Sequence, residues 1–278
     1  MKLKKLWRYL NSMRQRNKKR KDLIGYSLIG AFVIVIVSIA IFMITKETIE
    51  IDKETMCRAD GKYNVNVLVI DVSENYNNVQ VAQITNIFDD TLSKLNVGEQ
   101  IQVFFLDGEI STKEKPVISL CKPADGEGEN IFISNPELMK KRWEKKFHEP
   151  LMKIIGSVAK NNIAASSPIM ETLQIINNIA LPYSKNPQFK YKLIIVSDMI
   201  QNSPLLSFYK ESKENVKNFN NTKNFYKIKT DLTHVLIDLY ITRRDGNEAL
   251  QTTDYMNFWA DFFQRMNAHV NKIKMIDG

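Results

Sequence analysis

The sequence predicts an α/β fold: a doubly wound, mostly parallel six-stranded sheet with helices on both faces, preceded by one transmembrane helix. Three observations carry this expectation. Short runs rich in β-branched residues alternate with longer segments of helical spacing, the pattern of a parallel sheet joined by helical crossovers. Two of those runs, "VNVLVID" and "YKLIIVS", are apolar at nearly every position, as strands buried on both faces must be. And the uncharged run 23–44 stands apart near the N-terminus.

That run, "LIGYSLIGAFVIVIVSIAIFMI", has 22 residues. At about 1.5 Å per residue it spans roughly 33 Å, enough for a hydrocarbon core of about 30 Å. A cleaved signal peptide has a shorter apolar part and ends at a small-residue cleavage site. The following "MITKETIEIDKETM" offers no such site, so a retained single-pass anchor is expected. The chain then divides into a basic arm (1–22), a transmembrane helix (23–44), a polar linker (45–62) and one α/β domain (63–278).

Charge follows the same division. The chain carries 39 Lys and Arg against 31 Asp and Glu, a net charge of +8. Ten of the basic residues and one acid lie in 1–22, which leaves 29 and 30 for residues 23–278, a net charge of −1. The body is therefore neutral, and nucleic-acid binding by it is set aside. The positive-inside rule places the arm in the cytoplasm and exports the C-terminal domain, in a bacterial setting to the periplasmic side of the inner membrane. Lys18, Lys19, Arg20 and Lys21 stand nearest the membrane surface. Each contributes on the order of 1 kcal/mol of attraction to anionic headgroups.

The only cysteines are Cys57 and Cys121. Export puts both where disulfides persist, and they are expected to pair; two free thiols is the alternative. No C-x-x-C occurs and the three histidines are scattered, so a Cys/His zinc site has no support.

Along the domain, residues 64–72 read as the first strand. Residues 78–95 follow as a helix, with Val79, Ala82, Ile84, Ile87, Phe88, Leu92 and Leu95 on one stripe. Residues 100–106 form a second strand, Asp107-Gly108 a turn, and 117–120 a short strand running antiparallel to it. "CKPADGEGEN" is a loop by composition. Asn135-Pro136, Pro150 and Pro168 open three helices. Residues 191–197 form a buried strand, 205–213 a short helix, and the Asn- and Lys-rich 213–227 a surface insertion. Residues 232–242 form a strand, 243–247 a turn, 254–268 an aromatic-rich helix and 270–276 the last strand.

Right-handed crossovers send the C-terminal ends of the parallel strands to one edge, where ligands bind in such folds. Three places put oxygen-bearing side chains there: Asp71, Ser73 and Asn75 after the first strand; Ser167 before a helix; and Asp198 after "KLIIVS". Carboxylate, hydroxyl and amide oxygens without thiolate or imidazole suit a hard cation, Mg²⁺ or Mn²⁺. Local explanations compete, since Asp71 and Ser73 are good caps for the helix from residue 78, and Ser167-Pro168 is a common helix start.

The motifs "DVSEN", "SSPIMETL" and "VSDMI" resemble those of the von Willebrand factor A-type domain with its metal-ion-dependent adhesion site, a Rossmann-like fold. The resemblance extends over residues 63–276 by order of elements. It implies that Asp71, Ser73, Ser167 and Asp198 surround a divalent ion whose open position takes a partner's carboxylate. Three departures stand out: Asn75 for a second Ser, Ser167 for Thr, and Met199 for the usual Gly. The implied function is a membrane-anchored protein-binding module with a partly degenerate cation site. The alternatives are a structural subunit of a membrane complex with a silent site, and a metal-dependent hydrolase.

Catalytic readings are weaker. Phosphoryl transfer from an aspartate commonly wants a second acid two residues on, where Ser73 stands. A serine nucleophile wants a histidine, and His148, His234 and His269 are not predicted at the site edge. Paired carboxylates for glycoside hydrolysis would have to be Asp71 and Asp198, with no other sign of a sugar cleft. No Gly-rich phosphate loop is present.

Overall fold

The computed structural model describes residues 25–45, 49–108, 115–129, 134–158, 164–181 and 188–277. The arm residues Lys18, Lys19, Arg20 and Lys21 lie outside that set. The chain forms two units, Met1–Ile49 and Glu50–Gly278. In the first, helix α1 (Gly25–Thr45) has 21 residues and a mean hydropathy of 2.9, long and apolar enough to cross a membrane.

The second unit is built on one sheet. Its strands are β1 (Val65–Asp71), β2 (Gln100–Leu106), β3 (Ile118–Cys121), β4 (Tyr191–Ser197), β5 (Val235–Thr242) and β6 (His269–Ile276). They lie in the order β3-β2-β1-β4-β5-β6. All neighbours are parallel except β2 and β3. The connection 107–117 is too short for the dozen or so residues that a parallel crossover needs. The order reverses direction between β1 and β4, the switch point at which open α/β sheets leave a crevice.

Alternation along the strands gives each face its own core. Val65, Val67 and Val69 of β1, with Leu193, Ile195, Ile237 and Leu239, pack under α5 (Ile169–Ala180) and α8 (Thr253–Arg265). Leu68 and Ile70, with Ile101, Val103, Ile194 and Val196, pack under α2 (Asn78–Lys94) and α4 (Glu149–Ser157). Between α3 (Pro136–Trp143) and α4 the chain passes through a π-helical turn, Glu144–His148, that buries Phe147.

Three segments differ from the sequence-based expectation. In place of the expected helix 205–213, residues 205–212 form turns and a helix begins only at Lys213; Asn202 bridges Ser207, and Leu206 and Phe208 turn inward. The polar stretch 213–227 is not a surface insertion. With Ile228 after it, it forms α6 (Lys213–Asn218), a 3₁₀ turn and α7 (Lys223–Ile228), and together they bury Val216, Phe219, Phe225 and Ile228. Four apolar residues at helical spacing suffice to seat it on the core beneath Phe258 and Phe262. Finally, residues 50–62 of the predicted linker are structured: Ile51 bridges Arg58, and Cys57 is buried in a disulfide with Cys121. The expected pairing is thus present, stapling this segment to the end of β3.

Candidate functional site

At the C-terminal edge of β1, Asp71 is fully buried and accepts hydrogen bonds from three serines. Its Oδ1 accepts from the Ser73 amide at 3.0 Å and from Ser73 Oγ at 2.6 Å. Its Oδ2 accepts from Ser197 Oγ at 2.7 Å and from Ser167 Oγ at 3.3 Å. Its carbonyl accepts from the Tyr76 hydroxyl. The helix-cap alternative does not describe this arrangement. The cap of α2 is Asn77, which forms a capping box with Gln80. At the α5 N-terminus the Met170 amide donates to Gln201 Oε1 at 3.1 Å, and Ser167 Oγ turns to Asp71 instead of capping.

Backbone contacts hold Ser167 in place. Ser167 and Asn202 exchange two backbone hydrogen bonds, at 2.8 and 2.9 Å, and the Ala164 amide donates to the Ser73 carbonyl at 2.8 Å. Ser166 Oγ donates to the Gly108 carbonyl at 2.7 Å. Gly108 has φ +86°, and a Cβ there would lie 2.6 Å from the Ala164 Cβ. Only glycine lets the β2 turn approach this loop so closely.

Asp198 lies at the end of β4, 3% exposed. One oxygen accepts from the Ile200 amide at 2.8 Å. The other faces Arg244 Nε at 3.2 Å. Burial, and then the neighbouring Asp71 carboxylate, push its pKa up to about 7; the Ile200 amide and Arg244 pull the other way without offsetting them. Met199 takes the left-handed conformation, φ 59°, in the place where the resembled motif has Gly. That conformation costs a non-glycine residue about 1–2 kcal/mol. Here the Met199 carbonyl accepts from Trp259 Nε1 at 2.8 Å, its amide donates to Ser197 Oγ at 2.9 Å, and its side chain is buried.

Asn75 is exposed, and its contact with the site is through its carbonyl, which accepts from Arg244 Nη1 at 2.5 Å. The edge therefore joins Asp71, Ser73 and Ser167 in one hydrogen-bonded group, with Asp198 engaged by an arginine beside it. Ser197 and Arg244 were not singled out in the sequence. Ser197 stands next to Asp198 in "VSD", and Arg244 follows the end of β5 in "TRRDG", at the same edge. Charged residues directly after a buried strand were the available signal.

Arg244 is 7% exposed. Its guanidinium lies 3.2 Å from both Asp198 and Glu74 and 5.0 Å from the centre of the Tyr76 ring. The Arg244 amide donates to Gln251 Oε1 at 2.9 Å, and Gln251 Nε2 returns to the carbonyls of Asp198 and Thr242. Among the described residues, no group of three or more His, Cys, Asp or Glu is placed to hold a metal ion. The oxygen set at this edge is instead carboxylate plus hydroxyl. The Ser73 and Ser167 hydroxyls spend their protons on Asp71, which leaves lone pairs free for a hard cation.

The raised Asp198 pKa gives a pH dependence. Between about pH 4 and 7 the folded chain holds a proton that the unfolded chain has released. This group's contribution to stability is complete below that window and falls as pH rises through it. The melting temperature of the full chain in detergent should therefore decline from pH 5 to pH 8, and Asp198→Asn should flatten that slope. A parent profile as flat as the variant's would contradict the assignment.

No protein-family model matches the chain. No curated protein matches it either. Among solved structures it is similar to a conserved hypothetical protein BatB from Bacteroides thetaiotaomicron, at 9% identity and a TM-score of 0.36, over 77% of this chain and 91% of that one. It is similar also to an aerotolerance-related membrane protein from Bacteroides fragilis carrying multiple mutations to serines, at 8% identity and a TM-score of 0.35, over 77% and 92%.

Proposed function

We propose that this chain is a membrane-anchored docking module of the von Willebrand factor A type. In this reading α1 is the anchor, the arm is cytoplasmic, and the domain on the far side binds a partner protein at the C-terminal edge of its sheet. The observation that carries the proposal is the convergence of Ser73 and Ser167 on the buried Asp71 across two loops at the switch point. A divalent cation, Mg²⁺ or Mn²⁺, would be held by the two hydroxyls with Asp71 behind them. Its contribution, once bound, is a positive centre with an open position for a carboxylate oxygen of the partner. The charge at the edge supports this. Even with Asp198 holding its proton, Asp71 and Glu74 outnumber Arg244, so an acidic partner group meets net repulsion unless a cation intervenes.

The test is calorimetric titration of the full chain in detergent with MgCl₂ and MnCl₂, alongside Asp71→Asn. Binding in the parent and at least a tenfold loss in the variant is expected, of the order of one lost charge interaction. No binding up to millimolar metal would set the cation aside and leave a scaffold in a membrane assembly as the better account.

A further inference from the structure

Arg244 has no counterpart in the motifs that suggested a cation site, yet it is the most deeply buried charge-bearing cation of the edge. It does four things at once. Its Nε faces Asp198 and Glu74, its Nη1 donates to the Asn75 carbonyl, and its plane lies near the Tyr76 ring. Its Nη2 is buried without a hydrogen-bond partner. Buried polar groups that serve only packing are normally paired. A guanidinium left with a spare donor between two carboxylates is held there chiefly by charge. Its reach also crosses elements: from the end of β5 it binds the loop after β1 and the loop after β4, the two loops that carry Ser73 and Asp198.

We propose that Arg244 is a resident cation of the docking edge, and that it competes with a divalent ion for the same negative charge. This rests on the docking-edge reading above. The guanidinium engages Asp198 and Glu74, withholds Asp198 from any ion seated at Ser73 and Ser167, and keeps the loops assembled when no ion is bound. A divalent ion approaching the hydroxyls meets a fixed positive charge as well as the carboxylates. The edge is thereby set to bind metal weakly, with Arg244 as the residue that sets the affinity.

The experiment is MnCl₂ titration of the full chain in detergent, followed by calorimetry and by melting temperature, for the parent, Arg244→Met, and Arg244→Met combined with Asp71→Asn. The proposal expects Arg244→Met to melt lower than the parent without metal. It expects the variant to bind Mn²⁺ on the order of tenfold or more tighter than the parent. It also expects added Mn²⁺ to restore its melting temperature, and Asp71→Asn to abolish that response. If parent and Arg244→Met bind Mn²⁺ equally and both lose it with Asp71→Asn, the competition is overturned and the docking-edge reading stands. If neither binds, both fail. Should Arg244→Met fold only with Mn²⁺ present, the proposal is supported. Should it not fold at all, Arg244→Gln replaces it. That variant removes the charge and keeps a planar donor group. Tighter Mn²⁺ binding than the parent is then expected, and no change overturns the proposal.

Discussion

Replacing Cys57 and Cys121 together with alanine lowers the unfolding free energy by about 4 kcal/mol, on the chain-entropy account of closing a loop of this length. The two residues are 64 apart in sequence, and both are buried. The bridge joins the segment entering the domain to β3, an edge strand of four residues. Few other bonds join that segment to the sheet: the Cys121 amide donates to the Thr55 carbonyl at 2.8 Å, and Gln100 Nε2 donates to Cys57 Sγ at 3.7 Å. The loss should therefore be accompanied by detachment of residues 50–62 from the sheet, read as lost hydrogen-exchange protection at Cys121 and Ala59. Urea unfolding followed by tryptophan fluorescence measures the stability, since Trp259 is buried in the core. A reductant should reproduce the variant. A change under about 1 kcal/mol would mean that the non-covalent contacts alone seat the segment.

Asp71→Ala is expected to be nearly as costly, about 3 kcal/mol, because it removes the acceptor of three buried hydroxyls and one amide. Unsatisfied buried polar groups cost about 1–3 kcal/mol each, and water entering the vacated space recovers part of that. The same substitution removes a charge that raises Asp198, so the Asp198 pKa should move down toward the ordinary carboxylate range. Chemical denaturation reads the first effect and NMR titration of the carboxyl carbon the second. The two are separable: a stability loss with no movement of Asp198 would mean that burial alone raises it. Asp71→Asn, which keeps the side-chain volume and one acceptor oxygen, should cost less.

The sheet was legible in the sequence because its strands state their environment. A strand buried on both faces has to be apolar at nearly every position, and "VNVLVID" and "YKLIIVS" are. The helices were legible where periodicity was strong, as in 78–95, and the apolar helix α1 because no other apolar run approaches its length. The polar stretch 213–227 was misread for the opposite reason. Its Asn and Lys content outweighs the apolar Val216, Phe219 and Phe225 that seat it, and composition carries no direction. The strand-edge oxygens were legible as types, since Asp71, Ser73 and Asp198 follow strand ends by position. Which of them meet was settled in three dimensions.

The sequence by itself determined the alternation of strands and helices, the apolar helix, the neutrality of the body and the cysteine pair, because each depends on local periodicity, composition or a count. Only the tertiary structure decided that Asp71 gathers Ser73, Ser167 and Ser197, that Asn77 rather than Asp71 caps α2, and that Arg244 arrives from β5 to face Asp198 and Glu74. Those contacts join residues up to about 170 positions apart. Their formation depends on which strands become neighbours, and hydrophobic pattern within a strand does not encode strand order.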